Sequence, residues 1–349
     1  MPAARTHRER PLAPNVRVIG HRGAPAWRPE HTLASYARAI ADGADFVEPD
    51  LVMTRDGVLV ARHENEIGGT TDVADHPGFA ARRTTRRIDG RAVTGWFSED
   101  FTLAELKTLR ARERLPQLRS TACDGEFRIP TLEELIDFVA VESAALGRAI
   151  GIVPEIKHGT YFRQLGLPME DALLATLAAH VHTRSAPVEI QSFEIGNLRY
   201  LREQLGDHHP NIRLLQLLDA PTTQPYDVAA AGGALDYARM MTAKGLREVT
   251  AYADAIGPEL RAVIPWNADG SLGRPTRLVR EAHAAGLEVH AYTFRPENQF
   301  LARAFWQGSD PRTVNRGGLV AQIRAYLDAG IDALFTDDPA SGREAVDAR

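Results

Sequence analysis

Short β-rich runs alternate with helix-like segments along most of this chain, and that alternation constrains the fold more than any other feature. The runs are VRVIG (16–20), DFVEPDLV (45–52), VLVARH (58–63), AIGIVPEI (149–156), PVEIQSF (187–193), IRLLQLL (212–218), EVHAYTF (288–294) and DALFTDD (332–338), with a weaker one, AIGPE, at 255–259. Between them lie stretches such as TLASYARAIADG, TLEELIDFVAVES and LVAQIRAYLDAG. Several have Thr, Glu or Pro near the start and Gly just past the end, the chemistry that caps a helix. Strands alternating with helices build βαβ units and a parallel sheet. Eight such strands in 349 residues predict a single-domain α/β fold, a (β/α)8 TIM barrel.

One join departs from that pattern. Only MTRDG separates the second and third runs, too few residues for a parallel crossover of about a dozen. Asp56-Gly57 suits a hairpin turn, so the chain is expected to double back there and the barrel to be irregular. Residues 1–15 are polar, Pro-rich and basic and read as a flexible lead-in; the barrel domain occupies 16–349. Two insertions, near 64–100 and 295–316, lack clear periodicity and follow strand ends. Loops that long in a compact domain are commonly functional, so both are expected to rim the C-terminal mouth.

Composition removes several function classes. A net charge of −5 gives no support to nucleic-acid binding, since phosphate-backbone readers carry a basic excess. No apolar run approaches the roughly 20 residues that span a membrane. The lead-in lacks the apolar middle of a signal peptide, which favours a cytoplasmic protein over the mature form of a secreted or periplasmic one only slightly. Cys123 stands alone in a loop-like stretch and is read as structural or incidental.

In a barrel of this type, polar residues at strand C-termini face a common mouth. His21 and Arg22 follow the first run, Glu48 and Asp50 lie in the second, and His63 closes the third. Glu155 and Lys157 end the fourth, Gln191 and Ser192 the fifth, and Tyr292 lies near the end of EVHAYTF. Residues two apart on a strand share a face, so Glu48 and Asp50 project together and Glu155 can join them. Three adjacent carboxylates repel unless they are protonated or hold a cation. An all-oxygen ligand set suits a hard divalent ion, Ca²⁺ or Mg²⁺, over Zn²⁺. Such an ion can orient a phosphate, with His21 and His63 flanking phosphorus as acid and base. Arg22 and Lys157 supply charge for phosphate oxygens.

Each signal also has a plainer reading. A strand-end histidine is commonly a structural hydrogen-bonder, and Glu155 with Lys157 reads equally as a surface ion pair. His31 and His290 lie near the expected mouth. His7, His76, His158, His180, His182, His208, His209 and His283 fall in loops or at helix ends and are expected to be solvent-exposed. The combination is what carries weight.

At these residues the chain resembles the glycerophosphodiester phosphodiesterase family. The shared stretches are GHRG (20–23), RPEHTL (28–33), GADFVEPDLVMTRDGVLVARHE (43–64), GTTDV (69–73), IPTLEEL (129–135), PEIK (154–157), QSF (191–193) and GIDALFTDDP (330–339). The resemblance implies hydrolysis of a glycerophosphodiester, a small-molecule substrate, to sn-glycerol 3-phosphate and an alcohol. It implies His21 and His63 as the general acid/base pair, and Glu48, Asp50 and Glu155 as ligands of one divalent cation. Arg22 and Lys157 would hold the phosphate, and Gln191, Ser192 and Tyr292 are the further substrate contacts, Ser192 for positioning only. The family's route is attack by the substrate's own glycerol hydroxyl, giving a cyclic phosphate that water opens.

Departures from the family pattern are informative. His63-Glu64 stands where many relatives have His-Asp, and the Leu-x-Arg-Thr-Thr that often follows is replaced by Glu66-Ile67-Gly68-Gly69-Thr70-Thr71. An arginine contact to substrate would then be absent or come from elsewhere, such as Arg82, Arg83, Arg86 or Arg87. The long loops resemble the longer, often secreted branch that uses Ca²⁺, which places Ca²⁺ ahead of Mg²⁺. Trp96, Phe97, Phe300, Phe305 and Trp306 either line a lipid groove or pack the loops down, with packing favoured. A lipid groove would favour a sibling reaction, lysophospholipase D or a phospholipid lyase. A turnover-free scaffold should lack a histidine or a carboxylate, and a two-carboxylate glycosidase would leave both histidines without a role.

Overall fold

A computed structural model describes residues 16–206 and 208–348; the lead-in at 1–15, with His7, lies outside them. Strands β1 (Arg17–His21), β2 (Phe46–Glu48), β3 (Asp50–Met53), β4 (Leu59–Ala61), β5 (Thr84–Ile88), β6 (Arg91–Gly95), β7 (Gly151–Ile152), β8 (Glu155–Ile156), β9 (Val188–Ser192), β10 (Ile212–Leu218), β11 (Ala255–Pro258), β12 (Glu288–Phe294) and β13 (Ala333–Thr336) account for the extended chain. Parallel pairing runs from β10 through β11, β12, β13 and β1 to β2, β7 and β9, and β9 pairs with β10 to close the ring. The result is a closed eight-position parallel barrel with helices between its strands.

Two of the eight positions are broken strands. Pro49 separates β2 from β3 and Pro154 separates β7 from β8. Proline has no N–H to give to a ladder, so pairing stops and resumes one residue later. β2 pairs with β7 and β3 with β8, so the two breaks match.

The third run of the sequence is not a barrel strand. β4 folds back antiparallel on β3, with Leu51 opposite Ala61 and Met53 opposite Leu59. The turn uses Gly57 at φ +78. The weaker run supplies the missing position: β11 lies between β10 and β12. Its apolar stretch is brief because it is buried on both sides, where period-2 alternation disappears.

Helix boundaries follow their local chemistry. Helix Leu132–Leu146 begins at Thr131, whose hydroxyl accepts from Glu134 N in a capping box, and ends at Gly147 with φ +64. Ile19, Phe46, Val153, Leu215, Leu217, Ala255, Ala333 and Phe335 fill the barrel interior. Gly151 makes room there, since a Cβ would lie 2.2 Å from the Phe46 ring.

Below that apolar layer sits a charged one at the N-terminal ends of the strands. Arg213 donates to Glu288 at 2.8 Å, and His290 pairs with Glu189 and Glu288, each at 3.1 Å. His290 therefore lies at the end of the barrel opposite the mouth, not near it. The register explains this, because His290 pairs with Ala333, the first residue of β13.

The 64–100 insertion contains structure that its sequence pattern hides. β5 and β6 form an antiparallel hairpin turned by Asp89 and Gly90 at φ +44 and +80. Its two strands are largely exposed, so no buried face imposes alternation. Trp96 and Phe97 pack into the core, as do Phe305 and Trp306 from the second insertion. His158 Nδ1 lies 2.6 Å from Asp89 and His283 Nε2 2.8 Å from Asp332. Both are half-buried, as are His76, His180 and His182, contrary to the exposure expected of them, while His208 and His209 are exposed. Among the described residues no helix is long and apolar enough to cross a membrane.

Candidate active site

Cross-strand register assembles the site. His21 of β1 pairs with Glu48 of β2, while Asp50 of β3 pairs with Glu155 of β8, which pairs with Gln191 of β9. Glu48, Asp50 and Glu155 are all buried, and their ligand oxygens lie within 4.8 Å of one another. His63 arrives by another route. β4 runs back toward the barrel, and Arg62 N donates to Asp50 O at 2.9 Å, so the next residue sits level with the carboxylates.

Each carboxylate is oriented. Glu48 accepts from Arg22 N at 2.7 Å and from Gln191 Nε2 at 3.1 Å. Asp50 accepts from His31 Nε2 at 2.8 Å and lies 3.3 Å from Arg22 Nε. Glu155 lies 2.8 Å from Lys157 Nζ, and both side chains are under 10% exposed, so this is no surface ion pair. Arg22 and His31 both adopt left-handed backbone conformations, φ +57 and +54, which are costly for non-glycine residues and concentrate at functional sites.

The histidines are backed in the same manner. His21 Nδ1 lies 2.6 Å from Asp337 Oδ1, and His63 Nδ1 is bonded to Glu64. With Nδ1 engaged, Nε2 is the ring nitrogen left for chemistry. His63 Nε2 lies 3.3 Å from Lys157 Nζ. Burial, aided by the Arg22 charge, lowers the His21 pKa to about 4 against the pull of Asp337. Burial, Arg22 and Lys157 likewise hold His63 below its ordinary value.

The carboxylates behave as a set that cannot all ionise alone. Burial, with the charges of Asp50 and Glu155, pushes Glu48 well above the usual range. Burial raises Glu155 to about 8 despite Lys157. Burial also pushes Asp50 upward, but the charges of His63 and Lys157 and the His31 bond hold it well below its usual value. Buried oxygen ligands that retain protons for want of positive charge fit a hard divalent cation, which would replace those protons. This acidic cluster could hold a metal ion.

One cavity of about 270 Å³ opens over the group. His21, Arg22, Glu48, Asp50, His63, Glu155, Gln191 and Tyr292 line it, and Lys157 reaches its edge through Glu155 and His63. Tyr292 donates its hydroxyl to Leu218 O at 3.0 Å, which fixes the ring as a wall. Ser192 does not line the cavity. Its hydroxyl accepts from Glu194 N at 3.1 Å and Asn197 Nδ2 at 2.8 Å, shaping the turn into helix Ile195–Leu205.

Arg82, Arg83, Arg86 and Arg87 do not line the cavity either. Arg82 and Arg86 are held by Glu105, Glu99 and Asp100, and Arg83 lies over Trp96. Arg295 and Arg261 line it instead, with Phe300 and Gln299 from the second insertion.

Sequence reasoning passed over Asp337, Glu64 and Arg295 as site residues. Asp337 follows β13 and Arg295 follows β12, so the strand-end rule that found His21 also pointed to them. His31 stood near the expected mouth, but nothing in its spacing showed that it would hold Asp50.

The glycerophosphoryl diester phosphodiesterase family matches residues 21–341. A glycerophosphodiester phosphodiesterase of Arabidopsis thaliana, GDPD6, is 36% identical over 336 residues, covering 91% of this chain and 82% of its own. One from Haemophilus influenzae is 32% identical, covering 91% of this chain and 89% of its own. A crystal structure of a putative glycerophosphoryl diester phosphodiesterase from Silicibacter pomeroyi superposes with a TM-score of 0.64 at 24% identity, covering 96% and 95% of the two chains. A phosphodiesterase from Oleispira antarctica, solved in complex with the product sn-glycerol-3-phosphate, superposes at 0.57 with 20% identity over 95% and 97%. With the barrel and its acidic, histidine-flanked mouth, these matches show that the chain belongs to the glycerophosphoryl diester phosphodiesterase family and is an enzyme of that type.

Proposed function

We propose that the chain hydrolyses small glycerophosphodiesters to sn-glycerol 3-phosphate and an alcohol, with His21 and His63 as the acid/base pair and a divalent cation, Ca²⁺ ahead of Mg²⁺, as cofactor. One observation carries the reading: three buried carboxylates and two carboxylate-backed imidazoles surround a single cavity that also holds Arg22. Glu48, Asp50 and Glu155 would hold the ion, which when bound supplies positive charge to orient the phosphate and polarise it. Arg22 and Lys157 contribute further charge for its oxygens.

One imidazole takes the proton of the substrate's glycerol hydroxyl as that oxygen bonds to phosphorus. The other, in its imidazolium form with Nδ1–H on its carboxylate, gives its Nε2 proton to the departing alcohol oxygen as its P–O bond breaks. The cyclic phosphate that results is opened by water, with the two imidazoles exchanging roles. Among the described residues no serine or cysteine lines the cavity and Thr293 is its one aliphatic hydroxyl, which fits attack by the substrate's own nucleophile. The size of the cavity and the packed positions of Trp96, Phe97, Phe305 and Trp306 favour a small diester over a lysophospholipid.

The test is a panel of glycerophosphodiesters and lysophosphatidylcholine assayed with Ca²⁺, Mg²⁺ or chelator, reading glycerol 3-phosphate and free alcohol. Glycerol 3-phosphate should appear only with a divalent ion, and His21→Ala and His63→Ala should each lower kcat by about a thousandfold, within the range seen for general acid/base groups. Normal turnover in chelator, near-normal activity in both variants, or a preference for the lysolipid would refute the reading.

A further inference from the structure

The two histidines share a support that lies outside the cavity. The segment from Ala111 to Phe127 leaves and rejoins the fold at one place, since Ala111 N donates to Phe127 O at 2.8 Å. It carries Arg114 and Arg119, five residues apart.

Arg119 Nη2 donates to Asp337 Oδ2 at 2.6 Å, while the other oxygen of that carboxylate holds His21. Arg119 Nε is anchored in turn on Glu297 at 2.7 Å. Arg114 grips both oxygens of Glu64, the carboxylate bonded to His63, at 2.6 and 3.0 Å. Its remaining donors hold Glu30 at 2.8 and 2.6 Å, and Glu30 accepts from Arg22 Nη1 at 3.1 Å. Neither arginine lines the cavity.

We propose that Arg114 and Arg119 are positioning residues for the two imidazoles, and that the 111–127 segment acts as one clamp on both. The inference rests on His21 and His63 being the acid/base pair. A carboxylate bound at one oxygen by a histidine can still rotate; a guanidinium on its far side removes that freedom. The ring plane is then fixed, Nδ1 keeps its proton toward the carboxylate, and Nε2 stays presented to substrate. Although burial opposes it, both carboxylates are held far below the usual range, Asp337 by Arg119, by Arg295 at 3.1 Å and by His21, and Glu64 by His63 and then Arg114. An ionised partner stabilises the imidazolium formed during turnover. Lysine would restore the charge without the fork, because only a guanidinium presents paired donors in a fixed plane.

The experiment compares Arg114→Gln, Arg119→Gln, Arg114→Lys and Arg119→Lys in the full chain with Ca²⁺, using glycerophosphocholine. Arg112→Gln is the control, because Arg112 lies on the same segment but pairs with exposed Asp75. Each Gln variant should lose about 10- to 100-fold in kcat with KM within about threefold, as for second-layer partners of other site histidines. Each Lys variant should recover part of that loss, and the control should match wild type. By proton NMR, the low-field Nδ1 resonance of His21 should vanish in Arg119→Gln and that of His63 in Arg114→Gln. Gln variants that melt earlier yet keep kcat within about threefold would reduce the arginines to structural ties. Lys variants that regain the full wild-type kcat would also overturn the clamp, because charge without the fork would then suffice. Inactive His21→Ala and His63→Ala beside active Gln variants would remove this inference alone; active His variants would remove the acid/base reading beneath it.

Discussion

Replacing Glu155 by Gln should weaken binding of the proposed divalent cation. The ligand oxygens of Glu48, Asp50 and Glu155 lie within 4.8 Å of one another, so at an effective dielectric constant of about 20 each ionised pair repels by about 3.5 kcal/mol or more. Arg22 Nε, 3.3 Å from Asp50, and Lys157 Nζ, 2.8 Å from Glu155, offset part of this. A bound divalent ion turns the remaining repulsion into attraction and stabilises the fold by mass action. At about a hundred times Kd that stabilisation is about 2.7 kcal/mol. A chain of 349 residues unfolds with an entropy near 0.7 kcal/mol/K, so the melting temperature should rise by about 4 °C. Glu155→Gln removes one anionic ligand; with affinity lowered about a hundredfold, the same ion concentration stabilises by about 0.4 kcal/mol and the shift falls below about 1 °C. Differential scanning calorimetry of both proteins in chelator and in Ca²⁺ measures this directly. A wild-type melt indifferent to Ca²⁺, or a Glu155→Gln shift equal to wild type, would show that the carboxylates do not form a cation site.

Three further outcomes are expected. Burial raises Glu194 to about 7 even though Thr160 bonds to its carboxylate, so its contribution to stability is full below about pH 4.5 and is lost as pH rises through 7; Glu194→Gln should flatten that loss and stabilise the protein by roughly 3 kcal/mol at pH 8, read from urea midpoints at several pH values. Gly23→Ala should destabilise by about 3 kcal/mol or more, because φ is +95 and a Cβ would lie 2.6 Å from the Ser35 carbonyl carbon; an unchanged thermal midpoint would contradict the strain argument. Phe300→Ala removes a cavity wall supplied by the second insertion and should alter KM by about three- to tenfold with kcat less affected, whereas an unaltered substrate profile would count against that insertion as a binding rim.

Much of the site was legible because barrel physics converts sequence position into place. A polar residue after a parallel strand is delivered to the mouth, and Glu48 and Asp50, two apart, must share a face even with Pro49 between them. The same reasoning misplaced His290, since it lies in a strand whose C-terminus is at the mouth but is itself near the start of that strand. It counted β4 among the eight barrel strands, although the Asp56-Gly57 hairpin it expected does turn β4 back antiparallel on β3, because an apolar strand pattern is the same whether the chain runs parallel or turns back. It underrated β11, whose four residues are all buried and carry no period. The 84–95 hairpin escaped notice for the opposite reason, having too little buried surface to impose a pattern.

By itself the sequence determined the alternation of strands and helices, the hairpin at Asp56-Gly57, and which histidines and carboxylates stand at strand ends. These depend on local propensity and on periods of a few residues. The tertiary structure alone decided what backs them: Arg119 reaches Asp337 across 218 residues, Arg114 reaches Glu64 across 50, and His31 turns inward onto Asp50. No local pattern encodes such pairs, because a guanidinium on a loop has no period to reveal which buried carboxylate it will meet. Their partners are fixed only when barrel closure brings distant strand ends to one rim, where an unpaired buried charge is too costly to leave.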